Sequence, residues 1–412
     1  MTNRRTFLKA AASAGLLSAS GCTSITGGGG GGGDAVRIGA LLPLSGPFAR
    51  TGQENRRGIE IGRSYLDETI MGRDLELVFK DNESAPEGSV QGARELVEDE
   101  NVDAIIGPAS SGNSIAVMQY IKENGQIPLI PTTASSVEAR ENPDNCNKYT
   151  FFIWPSNRQI VIVGVDFIQA LPNYVDRDID PSSVYFISLD YALGQNNLKI
   201  LKEEMSAIGG EVAGSTLVPI GTSDWGPYVS EVANSDADVV TGVLTWGSAA
   251  KFIPQATSFG LTEDKTMMFN SGKPVGQFAA STMPQDIIGW YGTHFYNPGL
   301  NTTVNNEFHR LYNENLDSNL LPNSVAGGGF EILRSVAIAM ENAESTATED
   351  VIGGLEGLEW DSIFGPIKYR KSDHQCALDF VGATRIAGSG DVPEFTVLEQ
   401  YPDVLPPAKC NV

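Results

Sequence analysis

The sequence predicts an α/β protein built from two similar halves with mainly parallel sheets. Three observations support this prediction. Apolar runs rich in β-branched residues alternate with segments of helical periodicity, the alternation begins again after Trp154, and a chain of 412 residues has room for about two domains. A folded chain of this size can bury a large hydrophobic core. We therefore expect two lobes, each containing a sheet covered by helices.

The first half contains short apolar runs bounded by turn residues. These runs predict strands at 36–42, 75–79, 102–106 and 127–130. Between them, apolar residues at helical spacing predict helices after Gly52, from Pro86 and over 113–123. Proline suits the first turn of a helix, because the N–H that it lacks would have no helical partner there. The resulting order of strands and helices is typical of a parallel sheet.

The second half repeats the alternation and then becomes less regular. The predicted elements are helices at 160–171, 198–208 and 249–259, and strands at 184–189, 239–244 and 266–269. Gly209 and Gly210 follow the second of these helices, and Gly260 follows the third, as expected at helix C-termini. Further helices are predicted at 304–316 and 331–343, before a hairpin-like end.

Residues 1–22 are typical of an export signal and are set apart from the fold. The paired Arg4 and Arg5, followed by Phe-Leu-Lys, indicate a twin-arginine signal; an ordinary secretory signal is the alternative. The small, apolar stretch 10–19 is too short to span a bilayer, which needs about 20 apolar residues.

The signal ends at Cys22, in a segment that resembles a lipoprotein processing box with Ala19 where Leu is usual. Residues 23–34 include seven consecutive glycines, and glycine favours a flexible tether because it has no side chain to pack. We therefore expect lipidation at Cys22 and a domain held on the extracellular face of the cell membrane after twin-arginine export.

The net charge is −23, from 51 acidic and 28 basic residues. Nucleic acid is excluded as a partner, because phosphate binding needs a basic face. The acidic residues are spread along the chain, and lysines are few. This pattern resembles the carboxylate-rich surfaces of haloarchaeal proteins, whose mutual repulsion is screened by high salt. An ordinary acidic exported protein is the alternative.

Cysteines and histidines give no pattern of a catalytic or metal site. Besides Cys22, the cysteines are irregularly spaced, so they do not match a zinc site; an oxidising exterior permits one disulfide among them. They are Cys146, Cys376 and Cys410. The three histidines are not in a His-Glu-x-x-His arrangement, and the chain has neither a Gly-x-Ser-x-Gly nor a Walker motif. We therefore predict no enzyme activity, no metal and no cofactor.

Several segments together resemble the branched-chain amino acid binding proteins, also called type I periplasmic binding proteins. The similar segments are IGALLPLSGP at 38–47, DNE at 81–83, IGPASS at 106–111, IPLIPTTAS at 127–135, YTFF at 149–152, DYALG at 190–194, GPI at 365–367 and DHQ at 373–375. Each motif is weak alone, but their order and spacing extend over nearly all of the chain that follows the tether. The chain is thus identified as resembling this family.

The resemblance implies two Rossmann-like lobes joined by a three-strand hinge. Lobe 1 would hold residues 35–155 and 294–371, and lobe 2 would hold residues 156–293 and 372–412. Hinge closure around a ligand would then present the closed form to an ABC permease driven by ATPase subunits. The resemblance also favours a disulfide between Cys146 and Cys410.

Hydroxyl side chains follow two neighbouring strands at the expected edge of the first sheet. In such sheets ligands bind beyond the carboxyl ends of the strands, where helix N-termini favour anions. The resemblance places Ser111, beside Ser110, on a ligand carboxylate. It places Thr132, Thr133 and Ser135 near the polar head of the ligand. The alternative interpretation is that each hydroxyl is only a helix cap.

The family's amino-acid binders have a glutamate just after the strand that matches 266–269, where it pairs with the ligand's ammonium group. Here that run is Asn-Ser-Gly, with Ser271 at its centre and no acid. A buried ammonium without a counter-charge costs several kcal/mol. Either another acid, for which Asp190 is the candidate, serves this role, or the ligand is not an α-amino acid.

Three aromatic residues, Trp154, Tyr191 and Trp246, fall at or near positions that line the family's cleft. They suit an apolar or amide-bearing ligand, although such residues can equally belong to the core. The prediction is an extracellular solute-binding protein of an ABC importer, for a branched-chain amino acid or a related amide or organic acid. The alternatives are a ligand-sensing domain of a receptor or two-component system, and an exported hydrolase.

Two triplets, Asn82-Glu-Ser and Asn301-Thr-Thr, fit the acceptor pattern for N-glycosylation. Such triplets are common by chance, so the sequence alone assigns no modification to either.

Overall fold

The computed structural model describes residues 35–270, 277–316, 321–388, 390–391 and 393–412, with the backbone alone for 246 and 277–279. The predicted signal, Cys22, the tether and Ser271 lie outside these residues. Within the part of the chain that is described, no helix is long and apolar enough to cross a membrane.

The first sheet is formed by strands near the N-terminus of the described chain. They are β1 (Val36–Leu42), β2 (Thr69–Ile70), β3 (Arg73–Asp81), β4 (Ala104–Ile106) and β5 (Leu129–Ile130). Their order is β2-β3-β1-β4-β5, and all pairings are parallel except the β2–β3 hairpin. The predicted bounds of β1 are confirmed, and the parallel pairing places the carboxyl ends of β1, β4 and β5 at one edge.

The helices between these strands are α1 (Ala49–Tyr65), α2 (Pro86–Glu98), α3 (Ser111–Tyr120) and α4 (Val137–Glu141), with a π-helical turn at Ile121–Gly125. Helix α3 begins two residues before the predicted start because Ser110 is its N-cap; the Ser110 hydroxyl accepts from Asn113 N. Helix α2 begins at Pro86, as predicted.

The second sheet joins a parallel part to an antiparallel part. The parallel strands are β6 (Ser183–Leu189), β7 (Glu211–Val218), β8 (Val239–Val243), β9 (Thr266–Phe269) and β10 (Tyr291–His294). The antiparallel strands are β11 (Glu359–Ser362), β12 (Gly365–Tyr369), β13 (Cys376–Ile386) and β14 (Glu394–Val404). The order is β11-β12-β13-β10-β9-β8-β6-β7, with β14 paired to β13.

Helices α5 to α13 precede, separate or follow these strands along the chain, and α11 and α12 pack on α1 of the first half. They are α5 (Asn157–Ala170), α6 (Ala192–Ala207), α7 (Gly226–Ala233), α8 (Trp246–Ser258), α9 (Leu261–Asp264), α10 (Gln277–Thr282), α11 (Thr303–Leu316), α12 (Ser324–Ala343) and α13 (Thr348–Leu355). The predicted α/β class with two sheets is therefore confirmed. The alternation of strand and helix gave the correct class even where it missed β7 and β10.

Helix α12 begins seven residues before its predicted start. Asn323 caps it by accepting from the N–H groups of Val325 and Ala326. Its first turns are rich in glycine, which has low helix propensity and conceals the helix in the sequence. The glycines permit close packing on α1: a Cβ on Gly58 would lie 1.8 Å from Ala326 O, and one on Gly329 would lie 2.4 Å from Asn55 O.

The C-terminal residues after β14 are fixed by three contacts. Cys410 forms a disulfide with Cys146, with Cα atoms 5.7 Å apart. Arg370 donates to Pro406 O at 2.7 Å, and Val412 N donates to Ser372 O at 3.0 Å. Cys376 is a free, buried thiol.

Candidate functional site

The loops after β4 and β5 leave the first sheet side by side. Parallel pairing of Ile106 with Ile130 aligns the two strand ends, and Gly107 N donates to Ile130 O at 2.9 Å. Further along the same two loops, Thr132 N donates to Pro108 O at 3.1 Å. The two segments in which hydroxyl residues were predicted to bind a ligand therefore lie together at the carboxyl edge of the sheet.

The hydroxyls of these loops are tied to backbone groups. Thr133 Oγ1 donates to Ala109 O at 2.7 Å, and Ser136 N donates to Ser111 Oγ at 3.2 Å. Ser110 is the N-cap of α3, which agrees with the alternative interpretation of this hydroxyl as a helix cap. The first N–H groups of α3 have no partner within the helix, so its N-terminus can attract an anion while the hydroxyls fix the loops around it.

Thr132 and Ser135 are more deeply buried. Thr132 is fully buried, and its Oγ1 has no hydrogen-bond partner among the described residues. Ser135 is also buried, and its carbonyl accepts from Asn157 N at 2.7 Å, at the start of α5. A buried hydroxyl without a partner costs free energy, which a polar ligand atom or an ordered water would offset.

Trp154 is a core residue at the end of these loops. Its ring meets Phe295 edge-on, with centroids 4.7 Å apart, and a Cβ on Gly328 of α12 would lie 3.2 Å from the indole. Its exposed fraction is 6%. The sequence left open whether Trp154 lines a cleft or belongs to the core. These contacts are those of a core residue.

Arg140 holds the backbone around Trp154. It is buried, and one guanidinium nitrogen donates to Ala134 O at 2.5 Å and to Trp154 O at 2.6 Å. Burial lowers the pKa of Arg140 to about 9. Its guanidinium also lies 4.2 Å from the ring centre of Phe152. Arg140 was missed by the sequence analysis, because no local pattern distinguishes it from an exposed arginine of α4.

Asp190 and Tyr191 lie at the carboxyl end of β6 in the second sheet. Asp190 is exposed; its N–H donates to Val218 O at 2.7 Å, and its carboxylate accepts from Gln195 Nε2 at 2.7 Å. Tyr191 precedes α6 and is half-buried, and burial raises the pKa of its hydroxyl. These two predicted residues therefore belong to a strand end of the other sheet.

The other two predicted residues are not described. Ser271 and the side chain of Trp246 lie outside the described part of the chain. Asn270, directly after β9, is buried, and neither atom of its side-chain amide has a partner among the described residues. The absence of an acid in this run is evident in the sequence, but no local pattern distinguishes Asn270 from an ordinary loop residue. Across the described residues, no group of acidic, histidine and cysteine side chains could hold a metal ion.

Comparison with known proteins assigns the family. The model of a family described as periplasmic binding protein matches residues 35–387. Among curated proteins, a Leu/Ile/Val-binding protein homologue of Brucella melitensis is 22% identical over 81% of this chain and 83% of its own length. The chemotactic signal transduction system substrate-binding protein BasB of Halobacterium salinarum is 26% identical over 53% of this chain and 52% of its own length.

Solved structures share the fold. An ABC transporter substrate-binding protein from Sphaerobacter thermophilus has a TM-score of 0.82 at 23% identity, covering 90% of this chain and 99% of that one. An ABC transporter solute-binding protein from Rhodopseudomonas palustris, in complex with 3,4-dihydroxybenzoic acid, has a TM-score of 0.80 at 20% identity, with the same coverage. Because the family model matches most of the chain, the resemblance seen in the sequence is confirmed, and the chain belongs to the periplasmic binding protein family.

Proposed function

We propose that the chain is the solute-binding component of an ABC importer and catalyses no reaction. It binds a branched-chain amino acid, or a related small amide or organic acid, between a lobe of residues 35–155 and 294–371 and a lobe of residues 156–293 and 372–412. Rotation about the hinge closes the lobes around the ligand, and an ABC permease with its ATPase subunits receives the closed form.

The observation that carries this proposal is the pairing of the loops after β4 and β5. The Thr133–Ala109 and Ser136–Ser111 hydrogen bonds fix these loops at the N-terminus of α3. Preformed hydrogen bonds lower the entropy cost of ordering the site when a ligand binds. A helix N-terminus surrounded by hydroxyls favours a carboxylate, a group shared by amino acids and organic acids.

The class of ligand depends on whether an ammonium group is matched by an acid. Asp190 is the proposed partner, and its exposed carboxylate is available at the second sheet. The Leu/Ile/Val-binding name of one relative supports an amino acid, and the dihydroxybenzoic acid in one structural neighbour supports an aromatic acid. A ligand without an ammonium group would leave Asp190 without a counter-charge at little cost, because its carboxylate is exposed and already accepts from Gln195.

A ligand screen tests the proposal. Thermal unfolding of the exported chain in molar salt would be followed with leucine, isoleucine, valine, short amides, dicarboxylates and aromatic acids. A compound that binds only the native state raises the melting temperature as its concentration passes Kd. A shift with leucine supports the amino-acid class, and a shift with aromatic acids alone supports a diverged site. A flat response to every compound would contradict the proposal.

We also propose that the chain is exported by the twin-arginine route and anchored through a lipid on Cys22. The Arg4-Arg5 pair and the segment ending at Cys22 support this location. Replacing both arginines by lysine should leave the chain inside the cell. Cys22→Ser should release exported protein from the membrane fraction into the medium. Membrane retention of the Cys22→Ser chain would contradict the lipid anchor.

A role in sensing is the second candidate, and the similarity to BasB supports it. A strain lacking the chain separates the two roles. Loss of uptake of the labelled ligand supports import, and loss of chemotaxis towards the ligand with normal uptake supports sensing.

The charge of −23 supports a further part of the proposal, a protein adapted to high salt. Its melting temperature should rise as salt increases from about 0.1 M, where the Debye length is roughly 10 Å, to above 1 M, where it is roughly 3 Å. An unchanged melting temperature over this range would favour an ordinary acidic exported protein.

A further inference from the structure

Two segments of the sequence fit the acceptor pattern for N-glycosylation, and the structure places them in opposite environments. Asn82 follows β3, and Asn301 precedes α11. A glycan is bulky and hydrated, so its acceptor must be a surface residue in a loop. The two triplets can therefore be tested separately against the fold.

The Asn82 triplet is closed to modification in the folded chain. Asn82 has an exposed fraction of 0%, and its Nδ2, the atom that would carry the sugar, is buried. Its Oδ1 accepts from Ser84 N at 3.0 Å. The Ser84 hydroxyl, the third group of the triplet, donates to Ser45 O at 2.7 Å. An enzyme could not reach the Asn82 amide without unfolding the segment that follows β3.

The Asn301 triplet is open. Asn301 and Thr303 are both exposed, and Asn301 lies in the loop before the first residue of α11. Asn301 Oδ1 accepts from Asn306 Nδ2 at 2.9 Å, a bond that does not use the Nδ2 of Asn301. Asn305 N donates to the hydroxyl of Thr302, the middle residue of the triplet, at 3.2 Å. The hydroxyl that caps the helix is therefore that of Thr302 and not that of Thr303. The acceptor amide and the hydroxyl of the triplet are therefore both accessible.

We propose that Asn301 is an N-glycosylation site of the exported protein. The donor would be an oligosaccharide linked through C1 to a lipid phosphate. The Asn301 Nδ2–C1 bond forms as the bond from C1 to the phosphate oxygen breaks. The lipid phosphate leaves with the electron pair, and the amide proton passes to a base of the transferase; nothing is oxidised or reduced.

This inference rests on the proposed twin-arginine export. That route moves folded chains across the membrane, so the transferase would meet the folded protein. Accessibility in the fold then decides which triplet is used. Under this order of events Asn301 is modified and Asn82 is not.

Peptide mass spectrometry of the full chain, purified from the surface of its native host, tests the inference. We expect a sugar mass on the peptide that contains residue 301 and none on the peptide that contains residue 82. Asn301→Gln and Thr303→Ala should each abolish the modification. Thr303→Ser, which keeps the hydroxyl of the triplet, should retain it and is the matched control for Thr303→Ala.

Each other result overturns the inference. An unmodified residue 301 on the exported chain contradicts it while leaving the transport proposal intact. A glycan on residue 82 contradicts the argument from accessibility. A glycan that persists on the residue-301 peptide of Thr303→Ala contradicts the inference, because attachment would then not depend on the hydroxyl of the triplet. Retention of the wild-type chain inside the cell overturns the export proposal and this inference together.

Discussion

The two sheets present their predicted site residues in different ways. At the first sheet, Ser111 and Thr133 are bonded to backbone groups of the neighbouring loop, and Thr132 is fully buried. At the second sheet, Asp190 is exposed and accepts a bond from the side chain of Gln195. In the proposed site, the loops of the first sheet would therefore form a fixed side, ordered before a ligand binds, and the second sheet would form a side that can adjust to the ligand.

This difference indicates that the two sides would have different roles in binding. A fixed side can bind the group that all ligands of the class share, because its hydrogen bonds cost little further ordering. A side with exposed, rotatable groups can change with the ligand while the fold is unaffected. We expect substitutions at the first sheet to affect stability and general affinity, and substitutions at the second sheet to affect selectivity.

The largest effect should come from a buried ion pair of α12, the helix whose Gly328 packs against Trp154. Glu331 of α12 accepts from Arg334 at 2.7 Å, from Trp360 Nε1 at 3.0 Å and from Ile363 N at 2.9 Å. Glu331→Ala leaves Arg334 buried without its partner, and such losses cost about 3–5 kcal/mol. Denaturant unfolding measures the loss.

Glu60→Ala is the control for this experiment. Glu60 forms an exposed ion pair with Arg56 at 2.8 Å, and exposed pairs contribute about 0–1 kcal/mol. A loss below about 1 kcal/mol for Glu331→Ala would show that the buried pair contributes no more to stability than an exposed one.

The next effect should come from the disulfide, which links the loop after α4 to the C-terminal residues beyond β14. It closes a sequence separation of 264 residues. Reduction should lower the free energy of unfolding by about 2–4 kcal/mol, as is typical of native disulfides. Unfolding with and without reductant measures this change. Reductant should have no further effect on a Cys146→Ser/Cys410→Ser chain, and an effect there would assign the loss to another thiol.

Acid should destabilise the second sheet through His294 on β10. Burial, and then the charge of Arg385, lower the pKa of His294 to about 3, against an ordinary value near 6.5. Between these values the unfolded chain binds more protons than the folded chain, so stability falls as the pH falls from about 6.5 towards 3. At pH 5 the loss should be about 2 kcal/mol.

The difference between wild type and His294→Gln in unfolding free energy, measured from pH 7 to pH 4, isolates this contribution from other titrating groups. As the pH falls, the free energy of unfolding of the wild type should fall relative to that of His294→Gln, by about 2 kcal/mol at pH 5. A constant difference would exclude His294 as the cause of acid sensitivity.

A smaller effect, measured here on binding, is expected at the fixed side. Ser111→Ala should raise Kd by at least roughly tenfold for every ligand found in the screen, because a hydrogen bond to a charged group contributes about 1.5–3 kcal/mol. Isothermal titration calorimetry measures Kd. Ser64→Ala, an exposed serine of α1, is the control. If Ser111→Ala raised Kd for only some ligands, the fixed side would not bind a group that all the ligands share.

The smallest effect on stability should come from Asp190→Asn, within about 0.5 kcal/mol, because the residue is exposed. Its effect on binding should be selective: ligands with an ammonium group lose affinity, and organic acids do not. Calorimetry with leucine and with an aromatic acid gives the comparison. Equal losses for both would place Asp190 outside the recognition of the ammonium group.

Periodicity predicted the class of fold because strands that are buried on both faces form continuous apolar runs. Strand β9 has the predicted bounds. Strand β7 was missed because it lies at the sheet edge, where several residues remain exposed and the apolar run is interrupted. The start of α12 was missed because its glycines lower helix propensity and are explained only by the backbone of α1.

The candidate site was partly predictable for a similar reason. Hydroxyl residues after apolar runs identify strand ends, and parallel pairing then brings the loops that carry Ser111 and Thr133 side by side. The partners of Arg140 could not be predicted, because they are carbonyl groups whose positions depend on the whole fold. For the same reason, the sequence could not show that Trp154 packs against α12.

The fixing of the C-terminal residues has a practical consequence. Cys410 is buried two residues before the end of the chain, and the N–H of the last residue, Val412, is itself bonded to Ser372 O. Val412 is exposed, but an affinity tag fused directly after it would extend from a backbone bonded at Ser372, two residues from the disulfide. Purification tags and fluorescent labels are therefore better inserted into the glycine tether, and the protein is better produced where disulfides form.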